Sequence, residues 1–171
     1  METDPEQYKQ PKYVLAIVFD GIEEVEALAP ADILRRAGVE TVIVSVGESQ
    51  QVEGRNGIRF QADQSLSEID ASTFDMVFLP GAPGVLPLAK NALITEIIQS
   101  YDHESKFVLA IYVAPKVLAQ PGILKNRIAT GHSSARSELP VPSEDRIVQS
   151  DHIITSQAAG TGIEFGNKLS A

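Results

Sequence analysis

FVLAIYVAPKVL, residues 107–118, joins a strand to a helix with almost no linker. Phe107 to Ile111 is a continuous apolar run, the pattern of a strand covered on both faces. Val113 to Leu118 reads as a helix, with Pro115 suited to its first turn. A turn this sharp holds one residue out at the carboxyl ends of the strands. Many hydrolases and lyases keep their nucleophile at such a place. Here the residue is Tyr112.

Outward from that elbow the chain alternates between two periods. Tyr13 to Phe19 is a second continuous apolar run, ended by Asp20-Gly21. The spacing predicts a helix from about Ile22 to Ala37, closed by Gly38 in left-handed conformation. Thr41 to Val46 and Met76 to Leu79 are further core strands. Between them, Gln51 to Ala62 carries Gly54 and Asn56-Gly57 and reads as a small hairpin. Ser65 to Ile69 is expected to form one helical turn, and Val85 to Ser100 a loop and then a helix. Past the stop at Gln120-Pro121-Gly122, Arg127 to Ala129 is a short strand and Ser133 to Asp145 a loop. Arg146 to Gln149 and His152 to Thr155 are two strands joined at Ser150-Asp151, and a helix begins near Gly160. Strands alternating with helices imply parallel pairing in a three-layer α/β domain. Met1 to Pro11 lacks periodicity and reads as a flexible tail, leaving residues 12–171 as one domain.

The 171 residues suit a single core, and the charged fraction of 22% is that of a soluble globular protein. A net charge of −9 argues against nucleic acid and against an anionic membrane surface as partners. The absence of cysteine excludes disulfides and thiolate chemistry. The three histidines show no metal-ligand spacing, so no metal is expected. METDPEQYKQP is polar and acidic, unlike a signal peptide, and no apolar run reaches membrane-spanning length. The cytoplasm is the expected location.

Three features point to chemistry. On a helical wheel from Ile22, the residues Ile22, Val25, Ala29, Ile33 and Ala37 form the apolar face, and Glu26 falls within it. Glu24 and Arg35 fall opposite, where Glu23 and Glu24 complement the helix dipole. A carboxylate aimed at a core must be hydrogen-bonded or protonated, so Glu26 is a candidate acid/base of raised pKa. Pro80-Gly81-Ala82-Pro83-Gly84 follows a core strand, where ligands bind in open sheets. Its N–H groups, with that of Val113, are candidates for an oxyanion site. His132 lies in Thr130-Gly131-His132-Ser133-Ser134 after a short strand. His103 and His152 read as ordinary polar residues.

These residues belong to a recognisable set. FDGIEEVEALAPADILRRAG, FDMVFLPGAPG, FVLAIYVAP, TGHSS and ITSQAAGTGIEF resemble the ThiJ/PfpI superfamily over about Lys12 to Phe165. The branch they resemble most is that of the Parkinson's-disease-linked deglycase protein. The resemblance implies a flavodoxin-like three-layer α/β/α sandwich with a mostly parallel central sheet, a homodimer and a site without cofactor. It implies glyoxalase, deglycase, protease or stress-protein roles, with a small dicarbonyl as ligand. In the family an elbow cysteine is the nucleophile, a protonated glutamate hydrogen-bonds it and a histidine assists. Those positions fall on Tyr112, Glu26 and His132, and Gly81 and Ala82 stand where two glycines are usual.

Two departures bear on function. The elbow cysteine is replaced by Tyr112, whose free pKa is about 10 against about 8.5 for cysteine. Phenolate is then some 30-fold rarer at neutral pH, worth about 2 kcal/mol. A bulky residue also tolerates the strained elbow poorly, so a relaxed turn is one expectation. Secondly, Gly166 and Asn167 weaken the last helix, which reads as shortened. Two readings remain: a catalytically impaired binding or stress-related homodimer, and a glyoxalase- or deglycase-like enzyme using Glu26 and a non-cysteine nucleophile.

Overall fold

The computed structural model describes residues 12–170. The tail read over Met1 to Pro11 lies outside the described residues. The elements are β1 (Tyr13–Val18), α1 (Glu24–Arg36), β2 (Glu40–Ser45), β3 (Gln51–Glu53), β4 (Arg59–Gln61), β5 (Gln64–Ser65) and β6 (Met76–Leu79). They continue with α2 (Ala92–His103), β7 (Phe107–Ile111), α3 (Pro115–Ala119), β8 (Ile128–Ala129), α4 (Ser133–Arg136) and β9 (Val141–Pro142). The last three are β10 (Ile147–Ser150), β11 (Ile153–Ser156) and α5 (Gly162–Ser170).

Seven strands form the main sheet in the order β10-β11-β7-β6-β1-β2-β5. All neighbours pair in parallel except β10 with β11. Side chains alternate between its two faces, as a strand requires. From β1, Leu15 and Ile17 enter the core beneath α2 and α3, with Ile94, Ile98 and Leu118. Val14, Ala16 and Val18 enter the opposite core, beneath α1 and α5, with Ala31, Leu34 and Phe165. Both faces are covered, which is why the central strands read as unbroken apolar runs. The chain thus folds as the flavodoxin-like sandwich that its sequence implied.

The hairpin read between Gln51 and Ala62 is β3 paired with β4. Ser133 to Asp145, read as loop, instead contains α4 and β9, and β9 pairs in parallel with β8. Elements of two to four residues carry too little periodicity to be seen in sequence.

The face of α1 also differs from expectation. Its buried residues are Glu24, Glu26, Ala27, Pro30, Ala31 and Leu34, whereas Val25 is 49% exposed. The helix starts at Glu24 rather than Ile22, and it is covered twice. The sheet takes one side and α5 another. At Gly166 a Cβ would stand 3.0 Å from Ile33 Cδ1 and 3.1 Å from Pro30 Cα. This glycine, which weakens α5 as a helix, is what lets the two helices approach. Phe165, fully buried beside it, holds its ring 5.7 Å from that of Phe78.

His152 is not an ordinary hairpin residue. It is buried, and its Nε2 lies 2.7 Å from Asp102 Oδ1. The same oxygen accepts a 2.7 Å hydrogen bond from Arg127 Nη1, and Arg127 Nε reaches Asp151 at 3.3 Å. The cluster ties the end of α2 to the turn between β10 and β11. His103 is exposed, as expected.

The start of α2 is capped by Asn91, whose Oδ1 accepts from the N–H of Leu93 at 3.1 Å and of Ile94 at 3.4 Å. Replacing such a cap with alanine costs about 1 kcal/mol. Asn91→Ala is expected to lower the unfolding free energy by that amount in urea and to leave the far-UV spectrum of the folded state unchanged.

Candidate active site

Strand β7 ends at Ile111, and Tyr112 takes φ +64°. A left-handed backbone costs a side-chain-bearing residue roughly 1–2 kcal/mol. The turn has therefore not relaxed around the larger residue. Its neighbours determine it: Tyr112 N–H donates to Ser156 O at 3.1 Å, and Tyr112 O accepts from His132 N–H at 2.9 Å. Ala114 N–H closes the turn onto Ile111 O at 3.1 Å. A strand on one side and the His132 loop on the other hold the elbow, whatever residue occupies it.

The phenol lies against His132, with ring centroids 4.7 Å apart at 56°. Among the described residues the Tyr112 hydroxyl has no hydrogen-bond partner and is not a buried orphan, so it meets water. It makes no hydrogen bond to Glu26. His132 caps α4: Ser134 N–H donates to its Nδ1 at 3.3 Å, and Ser134 Oγ lies 2.9 Å from the same nitrogen. A backbone donor at Nδ1 makes that atom an acceptor, which places the proton of the neutral ring on Nε2.

Glu26 is buried at 1% exposure, aimed inward as its position on the chain implied. Gly81 N–H donates to its Oε2 at 3.1 Å, and the backbone of Ala159 bonds it as well. Burial, and next the negative charge of Glu23, push its pKa from an ordinary 4.5 up to about 8. The two N–H groups and the charge of Arg55 oppose that rise without cancelling it. At neutral pH the carboxyl is protonated and has a proton to donate. The Ala159 segment is steadied by Thr161, whose hydroxyl donates to Ala158 O at 2.7 Å and lies 2.6 Å from Ser156 Oγ.

Gly81 joins the parts. A Cβ there would stand 2.5 Å from Ile111 O, 2.6 Å from Tyr112 Cβ and 2.7 Å from Glu26 Oε2. Glu26 and Tyr112 thus flank one point, as the sequence reading required. The N–H of Gly81 does not serve the oxyanion role expected of it, because Glu26 takes it. Among the described residues, no hydrogen bond engages the N–H of Ala82 or of Val113. Those two N–H groups, each one residue past Gly81 or Tyr112, remain available as donors to a ligand.

The sequence reading missed Glu24. Placed on the solvent side of the wheel, it is in fact 3% exposed and grips the turn between β3 and β4. The signal for it was Gly54 and Asn56-Gly57, a tight turn needing a partner for its N–H groups. Among the described residues, no group of three or more metal-ligating side chains comes together.

The likeness to known proteins runs the length of the chain. Residues 12–171 match the DJ-1/PfpI family throughout. The chain belongs to the DJ-1/PfpI family. It is 29% identical over 163 residues to protein dj-1beta of Drosophila melanogaster, spanning 92% of this chain and 87% of that protein. It is 30% identical to the glutathione-independent glyoxalase DJR-1.2 of Caenorhabditis elegans, over 86% of this chain and 80% of the relative. The structure of oxidized DJ-1 from Toxoplasma gondii superposes with a TM-score of 0.87 at 32% identity, covering 92% and 88% of the two chains. No helix among the described residues is long and apolar enough to cross a membrane.

Proposed function

We propose that this DJ-1/PfpI-family chain is a binding protein with an impaired catalytic site, acting as a cytoplasmic, stress-related homodimer. Its ligand class is the small dicarbonyl, methylglyoxal above all, bound without cofactor. The observation that carries this reading is Tyr112, held at φ +64° where the resemblance places the cysteine nucleophile, with its phenol turned onto His132 rather than bonded to Glu26. A phenol hydroxyl is a weaker nucleophile than the thiolate the family uses, and no cationic side chain is hydrogen-bonded to Tyr112 among the described residues. The remaining groups suit recognition: Glu26 and His132 as donors, with Ala82 and Val113 N–H beside them. The nematode relative is named a glyoxalase, which supports dicarbonyls as the ligand class.

The test is methylglyoxal consumption by the purified protein and its Tyr112→Cys variant. The parent is expected to show no turnover, and the variant to gain it, because the backbone at 112 already has the elbow geometry. Sedimentation of the same preparation reads the dimer. Turnover by the parent that Glu26→Gln abolishes would overturn the binding reading. It would favour the alternative, a glyoxalase- or deglycase-like enzyme with Glu26 as acid/base and Tyr112 or water in the cysteine's place.

A further inference from the structure

The turn between β3 and β4 is bound to the start of α1 more tightly than a surface hairpin needs. Glu24 Oε1 accepts from Asn56 N–H at 2.8 Å and from Ile58 N–H at 3.4 Å, and its Oε2 accepts from Asn56 Nδ2 at 2.7 Å. Gly54 leaves room for the carboxyl: a Cβ there would collide with Glu24 Cδ. Backbone bonds complete the seam, Gly21 N–H to Glu53 O at 2.8 Å and Arg55 N–H to Ile22 O at 2.9 Å. Burial alone would raise the pKa of Glu24. The hydrogen bonds from its own backbone and from Asn56 and Ile58 outweigh that and hold it below the usual carboxylate range. It is an anion fully used by one turn.

What the turn carries is Arg55. Its Nη1 lies 3.5 Å from Glu23 Oε2, and Asn56 Nδ2 donates to the other Glu23 oxygen at 3.4 Å. Glu23 and Arg55 are the two charged groups that act on Glu26. The other groups placed on Glu26 are neutral: the N–H of Gly81 and the backbone of Ala159.

We propose that Glu24 is a positioning residue for the site: by gripping the Gly54–Ile58 turn it seats Arg55 against Glu23 and so sets the charge beside Glu26. The β3–β4 hairpin is then an electrostatic trim on the proton of Glu26. Release of the turn frees Arg55 into solvent and leaves Glu23 uncompensated, which favours the protonated carboxyl. The inference concerns the site of the proposed function. It is read from the ionisation of Glu26 and not from turnover, so either can fail without the other.

The experiment is a carboxyl-detected NMR titration of Glu26 in the full chain, with Glu26→Gln to assign the resonance. Arg55→Ala is expected to raise the midpoint. Asn56→Ala and Gly54→Ala change no charge, yet each is expected to raise it in the same direction, and neither to add to Arg55→Ala in a double variant. Glu24→Ala is expected to raise it also, although removing a nearby negative charge would by itself lower it. Asn56 is exposed, so its variant remains available if Gly54→Ala fails to fold. A purely structural turn would cost melting temperature and leave the midpoint where it was. An unmoved midpoint in Asn56→Ala alongside a shifted one in Arg55→Ala, a fall in Glu24→Ala, or no response to Arg55→Ala would each overturn the proposal.

Discussion

Glu26→Gln is expected to stabilise the protein at pH 8 by a few kcal/mol and to flatten its dependence on pH. The buried carboxyl has a folded-state pKa of about 8 against an ordinary 4.5. Below pH 4.5 both the folded and the unfolded chain hold the proton, and the site adds no pH dependence. Between 4.5 and 8 the unfolded chain gives the proton up while the folded chain keeps it. Stability then falls by about 1.4 kcal/mol per pH unit, and the loss is complete once pH has passed the folded pKa. Glutamine keeps an oxygen for the N–H of Gly81 and the backbone of Ala159, and it has no proton to lose. Urea unfolding of parent and variant from pH 4 to pH 9 measures the difference. The two curves should diverge as pH rises, with the variant on top. Parallel curves would mean that Glu26 ionises in the folded protein as it does in water. The same substitution removes the acidic proton proposed to meet a carbonyl ligand, so a gain in stability would accompany a loss of binding, the usual trade at a strained site.

Gly81→Ala should have the opposite effect. The obstacle is space, since three groups close on the missing Cβ and one of them is the backbone oxygen of Ile111, 2.5 Å away. That oxygen belongs to the end of a central strand and accepts the bond from Ala114 that closes the elbow. It cannot step aside as a side chain would. Overpacking of this kind costs about 3 kcal/mol or more. Calorimetry of Gly81→Ala should show a lowered midpoint. Its Glu26 titration should also move, because the N–H that steadies the carboxylate is displaced with the strand end. An alanine accepted at no cost would mean that Tyr112 Cβ and Glu26 Oε2 stand further apart than the geometry places them.

Sequence reading carried the centre of this molecule well and its edges poorly, for physical reasons. Met76 to Leu79 and Phe107 to Ile111 were legible to the residue, because strands covered on both faces are apolar without interruption and end where glycine, proline or a polar residue begins. Glu26 was legible as a carboxyl aimed inward. Its neighbour Glu24 was not, since a helical wheel assumes one buried side and α1 has contacts with the sheet, with α5 and with the β3–β4 turn. Val25 was misplaced for the same reason. The engagement of Gly81 N–H by Glu26 depends on two segments 55 residues apart, a distance at which no local pattern carries information. His152 looked like a hairpin residue because its partner, Asp102, lies on another element.

The cluster of Asp102, Arg127 and His152 precedes the first residues of β7, β8 and β11, while Tyr112 and Ser156 stand at the far ends of β7 and β11. The molecule is therefore polar in a mechanical sense: ionic keys lock one pole of the sheet, and the candidate site lies at the other. A surface attachment made through exposed His103, beside the locked pole, would present every copy with its candidate site facing the solution.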